Sequence, residues 1–369
     1  MSDETDRTKT ALALSGGGFR ATLYHIGALV RLNELGLLAQ IERISSVSGG
    51  AIAAGKLAEA WPRLKRSGDR FENIDAEVFA PLRSFCQRHL DTLAAGWGTL
   101  LPGKTIGDVL AGAYDEALFG NRWLSLRTLV DKPQFIFNAT NLQTGRLVRF
   151  SKVRLADYTI GEVPNPDIPL ARAVAASSAF PPVLSPVTVD VSPASWQDLK
   201  GTQHFGDPAY TRKLSLTDGG AYDNLGLETV DDFATIVVSD GGAPFSTEES
   251  ADAFWPQQAL RALDIATDQA RGLRKRLLYA ESSAAGRKYA YAGIDGDPAA
   301  FGIARTLQVD VALTRPLARI RTRLNPFSEQ EQGQLINWGW YMMDLAIRNH
   351  IAPTAPAPTK WPCPAQNLS

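Results

Sequence analysis

The sequence predicts an α/β fold in three layers, a mostly parallel central sheet with helices on both faces. Two short apolar runs each stop at a glycine turn that opens a helix: residues 10–14 meet Ser15-Gly16-Gly17-Gly18, and residues 41–47 meet Ser48-Gly49-Gly50. Strand, glycine turn and helix, repeated, is the order that a parallel sheet with outer helices requires. Further on, residues 233–238 carry no charge and are nearly all apolar or β-branched, as a strand buried on both faces must be.

The elements follow in order. Residues 19–35 place Leu23, Ile26, Val30 and Leu35 at helical spacing, with Gly36 as the stop. Residues 51–61 are Ala-rich and read as a helix halted by Pro62. Residues 63–127 mix charges with Trp97, Trp123 and short helical patterns, and are expected to form a helical insertion or cap. Strands return at 134–139 and 146–150, joined by turn-forming residues 141–145. A run at 182–191 leads into an irregular excursion over 192–213 with Trp196, His204, Phe205 and Tyr210, the kind of loop that serves as a lid or binding loop. Strands at 214–217 and 235–239 then end at Asp218-Gly219-Gly220 and Asp240-Gly241-Gly242. Residues 256–281 are helical and become basic at Arg271, Arg274, Lys275 and Arg276, and Ser328 with Glu331 forms a capping box for a helix through Trp338, Met342 and Ala346. The expected organisation is one domain over residues 9–350, then a Pro-rich tail over 351–369 that is a poor candidate for packed structure.

Composition narrows the function. A chain of 369 residues with 44% apolar side chains can bury a sizeable core. With 38 basic and 39 acidic residues the net charge is −1, so there is no field for gathering nucleic acid, and no nucleic-acid partner is expected. Cys86 and Cys363 stand far apart without metal-ligand spacing, so neither a disulfide framework nor a zinc site is predicted, and no cofactor is expected. The longest uncharged apolar stretch, 173–189, is broken by Pro181, Pro182 and Pro186, whereas a membrane span needs about 20 mostly apolar residues. The N terminus lacks the apolar core of a secretory signal. A cytoplasmic protein that touches membranes at most peripherally is the expectation.

Ser48 stands where a β-branched run gives way to a helix, between Ser46 and Gly49-Gly50, in the manner of a nucleophile elbow of the form small-x-Ser-x-Gly. The usual pattern has glycine where Ser46 stands, and an ordinary strand-to-helix turn would look the same. The amides of Gly16, Gly17 and Gly18 can form an oxyanion hole. They can equally cradle a phosphate, because Gly16, Gly18 and Ala21 fit G-x-G-x-x-A. A nucleotide reading expects an acidic residue at the end of the next strand, which instead ends Ser45-Ser46-Val47-Ser48. A serine also needs a base. Of the four histidines, His25 sits within a helix and only His204 lies in an open loop, whereas Asp218 and Asp240 both follow strands and can accept a serine proton.

Taken in order, Ser15-Gly-Gly-Gly-Phe-Arg20, Ser46-Val-Ser-Gly-Gly50 and Asp218-Gly-Gly-Ala-Tyr-Asp-Asn224 resemble the patatin-like lipid acyl hydrolases. Asn138-Ala-Thr-Asn-Leu-Gln-Thr-Gly145 and Ala175-Ala-Ser-Ser-Ala-Phe-Pro-Pro182 add to the resemblance, which spans roughly residues 9–242. It implies a patatin-like architecture and a Ser-Asp dyad without histidine, cleaving fatty-acyl esters of phospholipids or related lipids through an acyl-enzyme. By that resemblance Ser48 is the nucleophile, Asp218 the base, and Gly16, Gly17 and Gly18 the oxyanion hole. Arg20 follows the glycines and would meet a lipid phosphate or brace the loop. Asp218 is preferred to Asp240 because residues 221–224 continue the pattern, and Ser177 and Ser178 are read as wall residues. A lipid substrate implies an interfacial surface, for which the basic residues at 271–276 and 319–323 are candidates. The rival readings are a thioesterase or small-ester hydrolase with the same dyad, a nucleotide-binding protein using the Gly16–Gly18 turn, and a catalytically silent lipid-binding member.

Overall fold

The computed structural model describes residues 9–90, 105–182, 184–250, 254–322 and 324–369. Strand β1 (Thr10–Leu14) leads through the first glycine turn into helix α1 (Gly18–Glu34), and β2 (Ile41–Val47) leads through Ser48 into α2 (Gly49–Ala60). A small hairpin, β3 (Arg66–Ser67) and β4 (Arg70–Phe71), opens the insertion, which continues with the helices Ala80–Phe85 and Ile106–Leu118. The expected helical cap is therefore partly a hairpin, and Trp97 lies outside the described residues. After it come β5 (Gln134–Asn141), β6 (Arg146–Phe150), β7 (Arg154–Asp157) and β8 (Gly161–Pro164), then β9 (Val187–Asp190), β10 (Lys213–Asp218), β11 (Thr235–Asp240) and β12 (Lys288–Gly293).

All but the hairpin join one ten-stranded sheet in the order β12-β11-β1-β2-β5-β6-β7-β8, with β10 on β5 and β9 on β10. From β12 to β5 the neighbours are parallel, and the remaining pairs are antiparallel. The side chains of β1 alternate between two cores, as a strand's period of two requires. Leu12 and Leu14 enter the larger core with α1, α2 and the helix Glu329–His350, while Ala11 and Ala13 face Leu225, Val230 and Leu278 on the other side. Helices thus cover both faces of a mixed sheet that is parallel from β12 to β5, the α/β layering that the sequence predicts.

Helix α1 crosses Glu329–His350 at glycine contacts. A Cβ on Gly27 would lie 2.0 Å from the Ile336 carbonyl oxygen, and one on Gly339 the same distance from that of Tyr24, so only glycine lets the backbones meet. The capping box of Ser328 and Glu331 starts this helix as expected. The Pro-rich tail departs from expectation, because it is docked. Trp361 packs on Trp340 and Tyr341, Asn337 Nδ2 donates to the carbonyls of Cys363 and Gln366, and Leu368 is fully buried. Prolines remove backbone donors, and here Asn337 supplies a side-chain donor to the tail's carbonyls.

The basic segment of the helix Trp255–Ala285 also differs from expectation. Arg271 is buried on Asp240, Arg274 pairs with Asp223 and Glu228, and Lys275 lies over the Tyr291 ring. Arg321, in the other basic stretch, pairs with Glu331, and Arg323 lies outside the described residues. Arg276 stays exposed, and the solvent side of the long helix also exposes the apolar Trp255, Leu273 and Leu277, Trp255 at 74%. Among the described residues no helix is long and apolar enough to cross a membrane.

Candidate active site

Strand β5 carries the site. β2 runs parallel to it as far as Val47 opposite Asn138, and β10 runs antiparallel to it, ending with Asp218 opposite Ala139. Because β6 occupies the other edge of β5 over residues 137–141, β2 and β10 share one edge. Two strands far apart in sequence therefore run toward each other and stop at adjacent residues. Their ends bring the Ser48 turn to the Asp218 carboxyl.

Ser48 has φ 51° and ψ −117°, a conformation that a side chain adopts only at a cost. Its surroundings hold it there. A Cβ on Gly49 would lie 2.1 Å from the Gly18 carbonyl oxygen and one on Gly50 2.3 Å from that of Leu14, so the turn requires both glycines. Ser46, where the usual pattern has glycine, is accommodated because its hydroxyl donates to the Ile136 carbonyl on β5 at 2.9 Å.

Asp218 is 2% exposed. Its Oδ1 accepts the Gly220 amide at 2.7 Å, while Oδ2 is buried without a hydrogen-bond partner. Burial raises the carboxyl pKa from the usual 3.8 to about 6, against the opposing pull of the nearby Ser48 hydroxyl and the Gly220 amide. The hydroxyl thus lies close enough to favour the charged carboxylate, short of a well-formed hydrogen bond onto Oδ2.

The glycine turn faces this pair, with Gly16 so close that a Cβ there would lie 3.2 Å from Ser48 Cβ. Its three amides are not equivalent. Gly16 N–H donates to the Asn224 carbonyl at 3.0 Å and so cannot serve an oxyanion, which corrects the expected set. The amides of Gly17 and Gly18 meet no acceptor among the described residues, and Gly17 at φ 138° and Gly18 at φ 59° hold conformations that suit glycine.

Arg20 is not placed to meet a lipid phosphate, which corrects the substrate-binding expectation. It is 1% exposed, its Nε and Nη2 donate to the Gly241 carbonyl, and its Nη1 donates to those of Ala318 and Ile320. Burial lowers its pKa to about 10. It braces the glycine turn against the loops at 241 and 318–320.

Asp240 is committed elsewhere. Its Oδ2 takes Arg271 at 2.7 Å and the Tyr291 hydroxyl, its Oδ1 takes the Gly242 amide, and its carboxyl titrates below the usual range because of Arg271 and Tyr291 in spite of burial. The histidines are placed no better for catalysis. His25 is buried between Ser15 O and Ser239 Oγ, with a pKa lowered by burial to about 4, and His204 stacks on Tyr210. Sequence reasoning missed Asn224, and it read Ser177 as a wall residue where the hydroxyl accepts the Ser48 amide at 3.0 Å. Both lie inside quoted motifs, but their partners are set by tertiary contact.

A strained serine, a buried aspartate and glycine amides without an acceptor among the described residues thus meet where β2, β10 and the first glycine turn end. The patatin-like phospholipase family profile matches residues 12–231, more than half of the chain, and the protein belongs to that family. Similar solved structures include human GIVD cytosolic phospholipase A2, at TM-score 0.47 and 16% identity over 92% of this chain and 60% of that one. The same human enzyme in complex with methyl gamma-linolenyl fluorophosphonate and terbium chloride gives 0.49 and 17% over 92% and 58%. VipD from Legionella pneumophila gives 0.36 and 15% over 93% and 67%. The chain spans about 60% of the length of the human phospholipase A2 chain. No curated protein sequence matches it.

Proposed function

We propose that the protein is a serine acyl hydrolase that cleaves fatty-acyl esters of phospholipids or related lipids through Ser48 and Asp218. The observation that carries this reading is the convergence of β2 and β10 on one edge of β5, with Asp218 Oδ2 buried and unpartnered beside the strained Ser48. Asp218 takes the hydroxyl proton as Ser48 Oγ attacks the ester carbonyl, and the Gly17 and Gly18 amides hold the oxyanion. Collapse breaks the carbon–oxygen bond of the leaving alcohol, which receives the proton from Asp218 and leaves Ser48 acylated. Water, deprotonated by Asp218, then attacks the acyl-enzyme, and the fatty acid departs as Ser48 recovers its proton. The crowding of the glycine turn against Ser48 favours this reading over a nucleotide cradle.

Contact with the lipid surface is peripheral in this reading and falls to the outer stripe of Trp255–Ala285. Trp255, Ala259, Ala262, Ala266, Leu273 and Leu277 recur at helical spacing on this largely exposed helix. Inward, Arg274 lies 5.2 Å from the Tyr222 ring centroid, in the turn that follows Asp218, so the end of the stripe at Leu273 and Leu277 is the part nearer the site.

Fluorophosphonate labelling tests the catalytic assignment. Wild type is expected to be labelled and to hydrolyse a soluble ester, and Ser48→Ala and Asp218→Asn, folded by circular dichroism, are expected to do neither. Full activity in folded Ser48→Ala would refute it.

A further inference from the structure

Ser177 ends the helix Leu170–Ser177 and is fully buried. Its hydroxyl accepts the Ser48 N–H at 3.0 Å and donates to the Asn138 carbonyl at 2.6 Å. Its own carbonyl accepts the Gly219 N–H at 3.2 Å, and the Ala179 carbonyl accepts the Asp218 N–H at 3.0 Å and the Thr217 hydroxyl at 3.0 Å. Residues 177–179 thus grip the serine turn by one side chain and the aspartate turn by two carbonyls. They do so beside Asn138 and Ala139, where the two strands end on β5.

The carbonyl bonds are open to any residue type, whereas the bond to the Ser48 amide needs a hydroxyl. One oxygen here accepts from an amide and donates to a carbonyl at once, which alanine cannot do and a thiol does poorly. The adjacent Ser178 makes a contrast: its hydroxyl donates to the Val174 carbonyl and meets the Tyr114 hydroxyl, with no bond to either turn.

We propose, resting on the Ser48–Asp218 reading, that Ser177 is a positioning residue whose hydroxyl holds the Ser48 amide and so keeps Oγ against the Asp218 carboxyl. Without it the Ser48 N–H is a buried donor lacking an acceptor, and residue 48 is free to relax away from its strained φ. A displacement of Oγ by about 1 Å is enough to slow attack by about 100-fold.

The test uses the full chain as wild type, Ser177→Ala, Ser177→Cys and Ser178→Ala. Each is checked for folding, for steady-state hydrolysis of a soluble short-chain ester, and for the rate of fluorophosphonate labelling across pH. Ser177→Ala is expected to lose about 10-fold to 100-fold in kcat with KM within about twofold, and labelling is expected to slow in step. The pH midpoint of labelling is expected to move upward, since the Ser48 hydroxyl that helps to hold the Asp218 pKa down is displaced while the burial of Asp218 and its bond to Gly220 are untouched. Ser178→Ala is expected to lose stability and keep kcat within about twofold. If Ser177→Ala does not fold, the near-isosteric Ser177→Cys is expected to show the slowing. A folded Ser177 variant with wild-type kcat and labelling would overturn the proposal, and so would an equal kcat loss in Ser178→Ala. Failure of both Ser177 variants to fold while Ser178→Ala folds would also overturn it, because the hydroxyl would then be holding the fold and not the site. A wild type that resists labelling altogether would instead overturn the dyad on which the proposal rests.

Discussion

Asp218→Asn is predicted to abolish activity and yet stabilise the protein at neutral pH. The carboxyl is 2% exposed, burial is the largest cause of its raised pKa, and only the Ser48 hydroxyl and the Gly220 amide offset that burial. With a pKa near 6 in the folded protein against 3.8 unfolded, the native state binds the proton more tightly, so ionisation favours unfolding. The cost is absent below the unfolded value, grows as pH rises through the interval, and is complete above the folded value. Its full size is about 3 kcal/mol above about pH 7, falling to about 1 kcal/mol at about pH 4.5.

Asparagine is neutral throughout and keeps an oxygen for the Gly220 amide, so the variant escapes that cost. For a chain of this length the unfolding entropy is about 0.8 kcal/mol per kelvin, which converts the gain to about 4 °C in Tm at about pH 7.5 and about 1 °C at about pH 4.5. Differential scanning calorimetry of both proteins across this range measures it directly. In wild type, hydrolysis of a soluble ester is expected to rise with pH around a midpoint near 6, as Asp218 loses its proton. A Tm gain that is absent at neutral pH, or that does not change between the two pH values, would refute the argument that an ionised, unpartnered Asp218 strains the fold.

The other predictions concern residues around the dyad. Arg20→Met leaves the Gly241, Ala318 and Ile320 carbonyls without their donor and is expected to cost about 3 kcal/mol in denaturant unfolding, with KM of the folded fraction unchanged. A KM rise specific to phospholipids would restore Arg20 as a substrate contact. Changing Trp255, Leu273 and Leu277 together to serine is expected to abolish co-sedimentation with liposomes and to leave hydrolysis of a soluble ester unchanged. Retained binding would move the lipid contact to another face.

What could be read from the sequence is what is built locally. A strand that turns sharply into a helix needs small residues at the turn, so Ser48, Gly49 and Gly50 are legible, as is the Gly16–Gly18 turn. Alternation and charge-free runs fix which strands lie in the middle of the sheet, and a capping box needs only four residues. What depends on distant partners was not legible. Whether the Gly16 amide is free is decided by Asn224, whether Arg20 faces lipid is decided by three carbonyls far along the chain, and whether a basic helix shows its cations to solvent is decided by Asp223, Glu228 and Asp240. The proline count spoke against order in the tail, yet the side chains of Asn337 and Trp340 receive it.

The choice between Asp218 and Asp240 shows how topology completes what a motif leaves open. Both end a strand, both precede two glycines and both are buried, so local sequence makes them equivalents. Their strands differ in direction and place. β11 continues the parallel half of the sheet, and Asp240 at its end meets Arg271 and Tyr291, which hold it ionised and occupied. β10 runs against β5 and terminates opposite the strand that delivers Ser48, with no cation bonded to its carboxyl among the described residues. An aspartate paired with arginine is a poor base, because the pairing that lowers its pKa also blocks the oxygen that must take the proton. The antiparallel entry of β10, on the edge of β5 that it shares with parallel β2, is therefore what turns one of two similar Asp-Gly-Gly turns into a candidate base and leaves the other as a strut.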